Sequence, residues 1–253
     1  MRNFRLLALL LLAPAQLAAQ PAASLSPQVS SFVVEDAPVF AITQVRVVDG
    51  RGGPAVEDQT VVVSDGRILA IGDSRSTPVP EEARIMEKPG HTLLPGLVGM
   101  HDHIFYPAGA GHYNTLEYSA PRLYLAAGVT TIRTTGGMEP YTEMNLKRAI
   151  EDGRIPGPKM HVTSPYLEGP GAFTLQMNEL DSPEVARRMV EYWADAGIDD
   201  FKAYTHITRA QLSAAIEEIH ARGMKITGHL CSIGFKEAAA LGIDNLEHGI
   251  LVN

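Results

Sequence analysis

An α/β fold built around a parallel sheet is predicted for most of this chain by three observations. After Pro95, apolar segments of strand length alternate with amphipathic segments of helical length. Several amphipathic segments end in glycine, and "SPEV" and "ITRAQL" carry Ser or Thr where a helix N-cap is expected. Repetition of strand and helix implies right-handed βαβ units. Two closures remain open on this pattern: a TIM-like (β/α)8 barrel or a doubly wound open sheet.

The bulk composition is that of a globular chain with a large core. Of 253 residues, 45% are hydrophobic and 20% are charged. The formal net charge of -8, without a basic run beyond the N-terminus, argues against nucleic acid as a partner. The single cysteine, Cys231, excludes an intrachain disulfide, and we expect a buried thiol there.

Residues 1–20 predict a secretory signal peptide. Arg2 and Arg5 precede a short apolar run and then small residues, with cleavage expected near Ala19. The run is shorter than the ~20 residues of a membrane span, so no stable span is expected. The protein is therefore predicted to be exported, either periplasmic or secreted. Residues 21–38, rich in Pro, Ser and Ala, are predicted to form a flexible lead-in.

Residues 39–95 predict a small β-rich domain. Two β-branched runs, "FAITQVRVVDG" and "QTVVVSDGRILAIG", are typical of strands. Within the second run, Asp65 and Gly66 predict the turn of a hairpin.

The region from residue 96 to 253 predicts six parallel strands with helices between them. No glycine-rich phosphate loop follows the first strand, which weakens a dinucleotide-binding interpretation. The predicted strands cover 97–103, 129–134, 158–164, 199–204, 224–229 and 243–248.

Histidines stand near the carboxyl ends of several predicted strands, where catalytic groups of parallel barrels lie. His101 and His103, spaced i and i+2, leave one face of the first strand. The fourth, fifth and sixth strands contribute Lys202, His229 and His248 respectively. A single strand-end histidine is usually structural, but four at one rim predict a shared metal site.

Lys202 has two interpretations at this rim. An ammonium group facing a cation site would be repelled and costly to bury. A neutral amine can instead react with carbon dioxide to form an anionic carbamate, whose two oxygens can bridge two metal ions. The alternative is an ordinary lysine that reaches solvent or pairs with Asp199, Asp200 or Glu247.

Four segments together resemble the metal-dependent amidohydrolase superfamily, in particular its imidazolonepropionase-like and prolidase-like branch. The resemblance runs from about Val39 to the last residue, and the order His-x-His, Lys, His, His is its most specific part. The segments are "PGLVGMHDH", "AAGVTTIRTTGG", "DDFKAYTHITRAQLSAAIEEIHARGMKITGHL" and "AALGIDNLEHG".

The resemblance implies a role for each matching residue. His101 and His103 match the first-strand ligands of the more buried metal, and Lys202 matches the carboxylated lysine that bridges two metals. His229 and His248 match the ligands of the second metal. It also implies one or two divalent ions, zinc foremost. Residues 39–95 match the N-terminal part of the family's β-sandwich domain.

The chain departs from the family's pattern at its C-terminal side. The family places a catalytic aspartate at the end of strand eight, which binds metal and transfers the proton. The length after Leu94 accommodates only about five of the units in a complete barrel of roughly 250 residues. We therefore expect an incomplete (β/α)8 barrel over residues 96–253, truncated after strand six, as a fragment of a longer protein or a truncated gene product. A catalytic residue is not assigned, and this fragment alone is expected to be inactive.

Two functions follow from these observations. The first is hydrolysis of carbon–nitrogen bonds by metal-activated water, with small amides, cyclic amides or dipeptides as the substrate class that the resemblance implies. The second is a truncated barrel that binds metal or a partner without turnover. Candidate substrate contacts near the rim are Tyr106, His112, Tyr166 and His206. Assembly into a homo-oligomer is left open.

Overall fold

The computed structural model describes residues 24–249, which divide between two compact units. Unit 1 takes in Val34–Pro95, and unit 2 takes in Leu25–Val33 together with the chain from Gly96 onwards. The predicted signal peptide lies outside the described residues, so export stays a prediction. A search of residues 24–249 finds no helix long and apolar enough to cross a membrane.

Unit 1 is a five-stranded sheet in the region predicted to be β-rich. Its strands are β1 (Val39–Val47), β2 (Val56–Ser64), β3 (Arg67–Asp73), β4 (Arg84–Glu87) and β5 (Thr92–Leu93). Strand β1 is central: it is antiparallel to β2 and parallel to β4 and β5. The described residues of this unit form one sheet, so a sandwich of two sheets is not confirmed.

The predicted hairpin of unit 1 is confirmed. Ser64 of β2 pairs with Arg67 of β3, which leaves Asp65 and Gly66 as the turn. Their φ angles are 48° and 71°, and a two-residue turn with both angles positive is type I′. This turn matches the right-handed twist of the strands that it joins.

Unit 2 alternates strands with helices. Its strands are β6 (Leu97–Asp102), β7 (Phe105–Gly109), β8 (His112–Thr115), β9 (Val129–Thr134), β10 (Lys159–His161), β11 (Thr163–Leu167), β12 (Asp200–Ala203), β13 (Ile226–Gly228) and β14 (Asn245–Leu246). Its helices are α1 (Pro27–Ser30), α2 (Ser119–Ala126), α3 (Pro140–Glu151), α4 (Pro183–Ala196), α5 (Arg209–Ala221) and α6 (Phe235–Leu241).

The strands of unit 2 form two parallel sheets, with orders β10-β9-β6 and β11-β12-β13-β14, and a hairpin of β7 and β8. The predicted parallel α/β architecture is therefore confirmed. The predicted third strand divides at Val162, so β10 pairs with β9 whereas β11 pairs with β12. Within residues 24–249 the sheets do not close into a barrel, so the barrel prediction is not confirmed.

Helices α4 and α5 begin where the sequence predicts N-caps. The side chain of Ser182 accepts a hydrogen bond from Val185 N at the start of α4, and Gly197 ends that helix with φ of 93°. Thr208 and Gln211 form a capping box at the start of α5. These helices bury their apolar faces in a core whose largest members include Phe201, and this core holds the strands in register.

Part of the predicted flexible lead-in has defined structure. Helix α1 lies within residues 21–38, and the side chain of Ser26 caps its start. Ser26 also donates from its backbone N to Gly153 O at 2.9 Å and from its hydroxyl to Arg154 O at 2.8 Å. Residues Leu25–Val33 therefore belong to unit 2 and are not a free linker.

Candidate active site

The predicted strand-end histidines come together in unit 2. His101 lies in β6 and His103 just after it, His229 follows β13 and His248 follows β14. The ring centroids of His101 and His103 are 5.3 Å apart, and those of His101 and His248 are 4.6 Å apart. His229 continues the cluster at 4.3 Å from His248. Parallel strands place their carboxyl ends at one edge, which is why residues 147 positions apart can meet.

The carboxyl end of β6 is closely packed. A Cβ at Gly99 would lie 1.7 Å from the Asp102 carboxylate, so a larger residue here would require the Asp102 side chain to move. Tyr124 of α2 donates its hydroxyl to His103 O at 3.0 Å. These contacts fix the strand end from which His101 and His103 project.

Three histidines of the cluster have lowered pKa values, which favours their neutral form. Burial lowers the pKa of His103 to about 4, and the charges of His101 and Lys202 contribute. Burial likewise lowers the pKa of His229 to about 4, with His248 and Lys202 contributing. Burial also lowers the pKa of His248. Neutral imidazoles keep a free lone pair at pH 7, as metal ligands require.

Lys202 lies in β12, is 1% exposed and is near enough to His103, His229 and His248 for its charge to affect their pKa values. Burial lowers the pKa of its amine to about 8, although the charge of Glu247 raises it. Two of the three carboxylates predicted as alternative partners of Lys202 pair with other residues. Asp199 pairs with Lys147 at 2.7 Å, and Asp200 pairs with His161 at 2.7 Å. Within the part of the chain that the structure describes, Lys202 Nζ has no hydrogen-bond partner.

Glu247 is a member of the site that the sequence analysis considered only as a partner of Lys202. One carboxylate oxygen lies 2.7 Å from His101 Nδ1, and the other accepts a bond from Arg133 at 2.6 Å. Thr227 and Asn245 also donate to this second oxygen. Burial opposes ionisation, but the bonds from His101 and Thr227 outweigh it and lower the pKa of Glu247 to about 2. The carboxylate therefore stays charged and orients His101.

The donor chemistry of the cluster fits a transition metal, although the side chains do not stand in a finished coordination set. Among residues 24–249, no three His, Cys, Asp or Glu side chains are arranged to hold an ion. His103 Nδ1 and Lys202 Nζ are nevertheless buried with no hydrogen-bond partner in that part of the chain. Buried polar atoms of this kind need an explanation, and ligation by neutral imidazoles is one that fits.

The candidate substrate contacts have different surroundings. Tyr106 and His112 lie on the β7–β8 hairpin and are exposed. Tyr166 is 4% exposed, and its ring centroid is 4.3 Å from that of Tyr204. His206 is half-exposed, and its backbone N donates to Glu168 at 2.6 Å.

Cys231 differs from its prediction, because the thiol is exposed and not buried. Its backbone N donates to Thr205 O, which places it in the turn that follows β13. A residue in such a turn meets solvent even when the strand before it is buried.

Comparison with known proteins agrees with this geometry. The profile of the amidohydrolase family matches residues 92–252. An imidazolonepropionase of Rhizorhabdus wittichii is 27% identical, with 79% of this chain and 62% of the relative covered. An enamidase of Eubacterium barkeri is 24% identical, with 70% of this chain and 45% of the relative covered.

Solved structures give the same result for the fold. A putative prolidase from Bifidobacterium longum superposes with a TM-score of 0.72 at 28% identity, over 83% of this chain and 54% of that one. A Xaa-Pro dipeptidase with bound methionine has a TM-score of 0.71 at 19% identity, over 85% and 62% respectively. The chain thus spans about half to three-fifths of the length of these relatives. It belongs to the amidohydrolase family, in its imidazolonepropionase-like and prolidase-like branch.

Proposed function

We propose that this chain carries the metal centre of a hydrolase that cleaves carbon–nitrogen bonds in small amides, cyclic amides or dipeptides. The observation that supports the proposal is the meeting of His101, His103, His229 and His248 in one cluster. The four histidines come from the ends of β6, β13 and β14, which belong to two different sheets. Helix packing alone does not require four imidazoles at one edge.

The metal in this proposal is one or two divalent ions, and zinc is the first choice. Imidazole suits zinc, and the four histidines would hold it. A carboxylated Lys202 would supply an anionic bridge for a second ion. A pKa of about 8 leaves a fraction of its amine neutral near pH 7, and only a neutral amine reacts with carbon dioxide.

When bound, the metal would polarise the substrate carbonyl and make water acidic enough to attack near neutral pH. The chain's own residues prepare the site. Glu247 accepts the Nδ1 proton of His101, which directs the lone pair of His101 Nε2 away from the carboxylate and fixes the tautomer. Arg133 and Thr227 hold Glu247 in turn, so the ring of His101 has one orientation.

The comparisons favour hydrolysis over the non-catalytic alternative. Relatives named imidazolonepropionase, enamidase and Xaa-Pro dipeptidase are enzymes, and two solved relatives are a molinate hydrolase and a phenylurea hydrolase. The exact substrate is not fixed by these names, since they differ among themselves. A panel of dipeptides and cyclic amides, assayed with and without added zinc, addresses the substrate class.

The test of the metal centre is elemental analysis after growth in zinc-supplemented medium. We expect about one to two ions per wild-type chain and a stoichiometric loss when His101→Ala is combined with His103→Ala. The matched control combines His91→Ala with His220→Ala, because His91 is exposed in unit 1 and His220 pairs with Asp244 away from the cluster. A wild-type chain without metal, or equal loss in the control, would contradict the proposal.

A further inference from the structure

The four histidines are half of a closed circuit of aromatic rings. Starting from His103, successive ring contacts lead through four Phe and Tyr side chains to His229, then through His248 and His101 back to His103. Neighbouring centroids are between 4.3 Å and 6.0 Å apart, the range of edge and tilted aromatic pairs. The four non-histidine members, which we name the aromatic wall, are Phe105, Tyr113, Phe173 and Tyr204.

The aromatic wall meets the histidines at two points. The ring of Phe105 is 4.8 Å from that of His103, and the ring of Tyr204 is 4.8 Å from that of His229. None of the four wall residues is fully buried, and Phe173 is 50% exposed. Part of the ring surface of the wall is thus accessible to a ligand, and two of the wall's rings contact the proposed metal donors.

Hydrogen bonds fix the segments that carry the wall. Gln176 bonds both the backbone N and the backbone O of Tyr113, at 2.6 Å and 2.9 Å. Thr174 donates its hydroxyl to Gly111 O at 2.7 Å, which ties the loop after β11 to the β7–β8 hairpin. Glu179 accepts from two backbone N–H groups of the same loop, at 2.7 Å and 2.8 Å. A ligand therefore meets a wall that needs little ordering on binding.

We infer that the aromatic wall binds an apolar ring of the substrate, carried on one side of the scissile carbon–nitrogen bond. The inference rests on the proposed function, since it places the bond at the histidine cluster. The rings of Tyr113, Phe173 and Tyr204 offer stacking and edge contacts that a flexible aliphatic chain uses less well. Substrates with a ring next to the amide are bound more tightly than otherwise identical substrates with a methyl group.

The test uses methylphosphonate and benzylphosphonate as a probe pair. Both carry the same metal-directed anion, and they differ only in the methyl or benzyl group on phosphorus. Because the phosphonate has no leaving-group side, its benzyl ring can reach the aromatic wall on whichever side of the scissile bond the wall lies. Binding to the zinc-loaded full chain is measured by isothermal titration calorimetry. We expect benzylphosphonate to bind at least about tenfold more tightly, because ring burial and ring stacking add.

Three variants identify the wall as the cause. Phe173→Ala should reduce the benzyl-to-methyl ratio to below about threefold, and Phe173→Tyr, which keeps a ring, should preserve it. Leu175→Ala is the matched control, because Leu175 is on the same loop but 98% exposed. Far-ultraviolet circular dichroism checks that each variant is folded.

Each outcome decides the inference. Equal affinity for the two phosphonates overturns it while leaving the metal proposal intact. A ratio that Phe173→Ala leaves unchanged, or that Leu175→Ala reduces equally, shows that the wall is not the ring site. If zinc or methylphosphonate fails to bind, the proposed function fails and this inference fails with it.

Discussion

Replacing Glu247 with glutamine should weaken metal binding although Glu247 is not itself a proposed ligand. Its carboxylate lies 2.7 Å from His101 Nδ1 and 2.6 Å from the guanidinium of Arg133. Glutamine keeps the size of the side chain but removes the charge. Its amide keeps one accepting oxygen and replaces the other with an NH₂ group, which cannot accept a hydrogen bond. Because three donors, Arg133 among them, bond one oxygen of Glu247, the NH₂ group should face His101 Nδ1, which then loses the bond that fixes its tautomer.

The magnitude follows from the carboxylate's surroundings. The pKa of Glu247 is lowered from 4.5 to about 2, equivalent to roughly 3 kcal/mol of stabilisation of the charged form. Partial solvent access reduces this, so the metal-free variant should lose about 1–2 kcal/mol of unfolding free energy. Loss of a residue that orients a ligand typically costs 10–100-fold in metal affinity, and we expect about that loss for zinc.

The assay is a zinc titration against a chromophoric chelator, with urea denaturation of the metal-free chain measured in parallel. Glu217→Gln is the matched control. Glu217 also pairs with an arginine at 2.6 Å, but its side chain is 61% exposed, and exposed pairs contribute little. Wild-type zinc affinity in Glu247→Gln, or an equal loss in Glu217→Gln, would refute the reasoning.

Two further predictions concern the other buried charges. Lys202→Ala should lose part of the bound metal, and short carboxylic acids should partly restore it. Lys202→Arg should not restore metal binding, because guanidinium stays positive. An arginine variant with normal metal content in elemental analysis would contradict this prediction. Burial raises the pKa of Glu143 from 4.5 to about 8, so the folded chain binds more protons than the unfolded chain between these values. Unfolding free energy should therefore fall by about 1 kcal/mol per unit as pH rises from 4.5 towards 8. The urea midpoint of Glu143→Gln should change less with pH over this range than that of the wild type. Identical pH profiles for variant and wild type would exclude Glu143 as the cause.

Local pattern was enough where neighbouring residues decide the structure. The strand predicted over 129–134 coincides with β9, and the turn at Asp65 and Gly66 forms as predicted. The N-caps Ser182 and Thr208 also act within three residues of their own position. In each case the partners are sequence neighbours, so composition and spacing carry the information.

The sequence pattern gave a wrong prediction where a residue distant in the sequence decides the structure. The predicted strand 158–164 divides because Asp199 bonds both backbone groups of Val162, with its carboxylate at 2.7 Å and its backbone N at 2.8 Å. The β7–β8 hairpin was missed for a local reason: its turn is Ala110 and Gly111, both with positive φ, and alanine gives no signal for that conformation.

For the site, the sequence by itself determined the donor types and their common edge, because side chains at the ends of parallel strands must meet. Only the tertiary structure decided how those donors are supported. Glu247 reaches His101 across 146 positions and Arg133 across 114, and no spacing rule connects residues that far apart. The absence of a hydrogen-bond partner for Lys202 Nζ within residues 24–249 was also decided there, since packing between elements pairs Asp199 with Lys147 and Asp200 with His161.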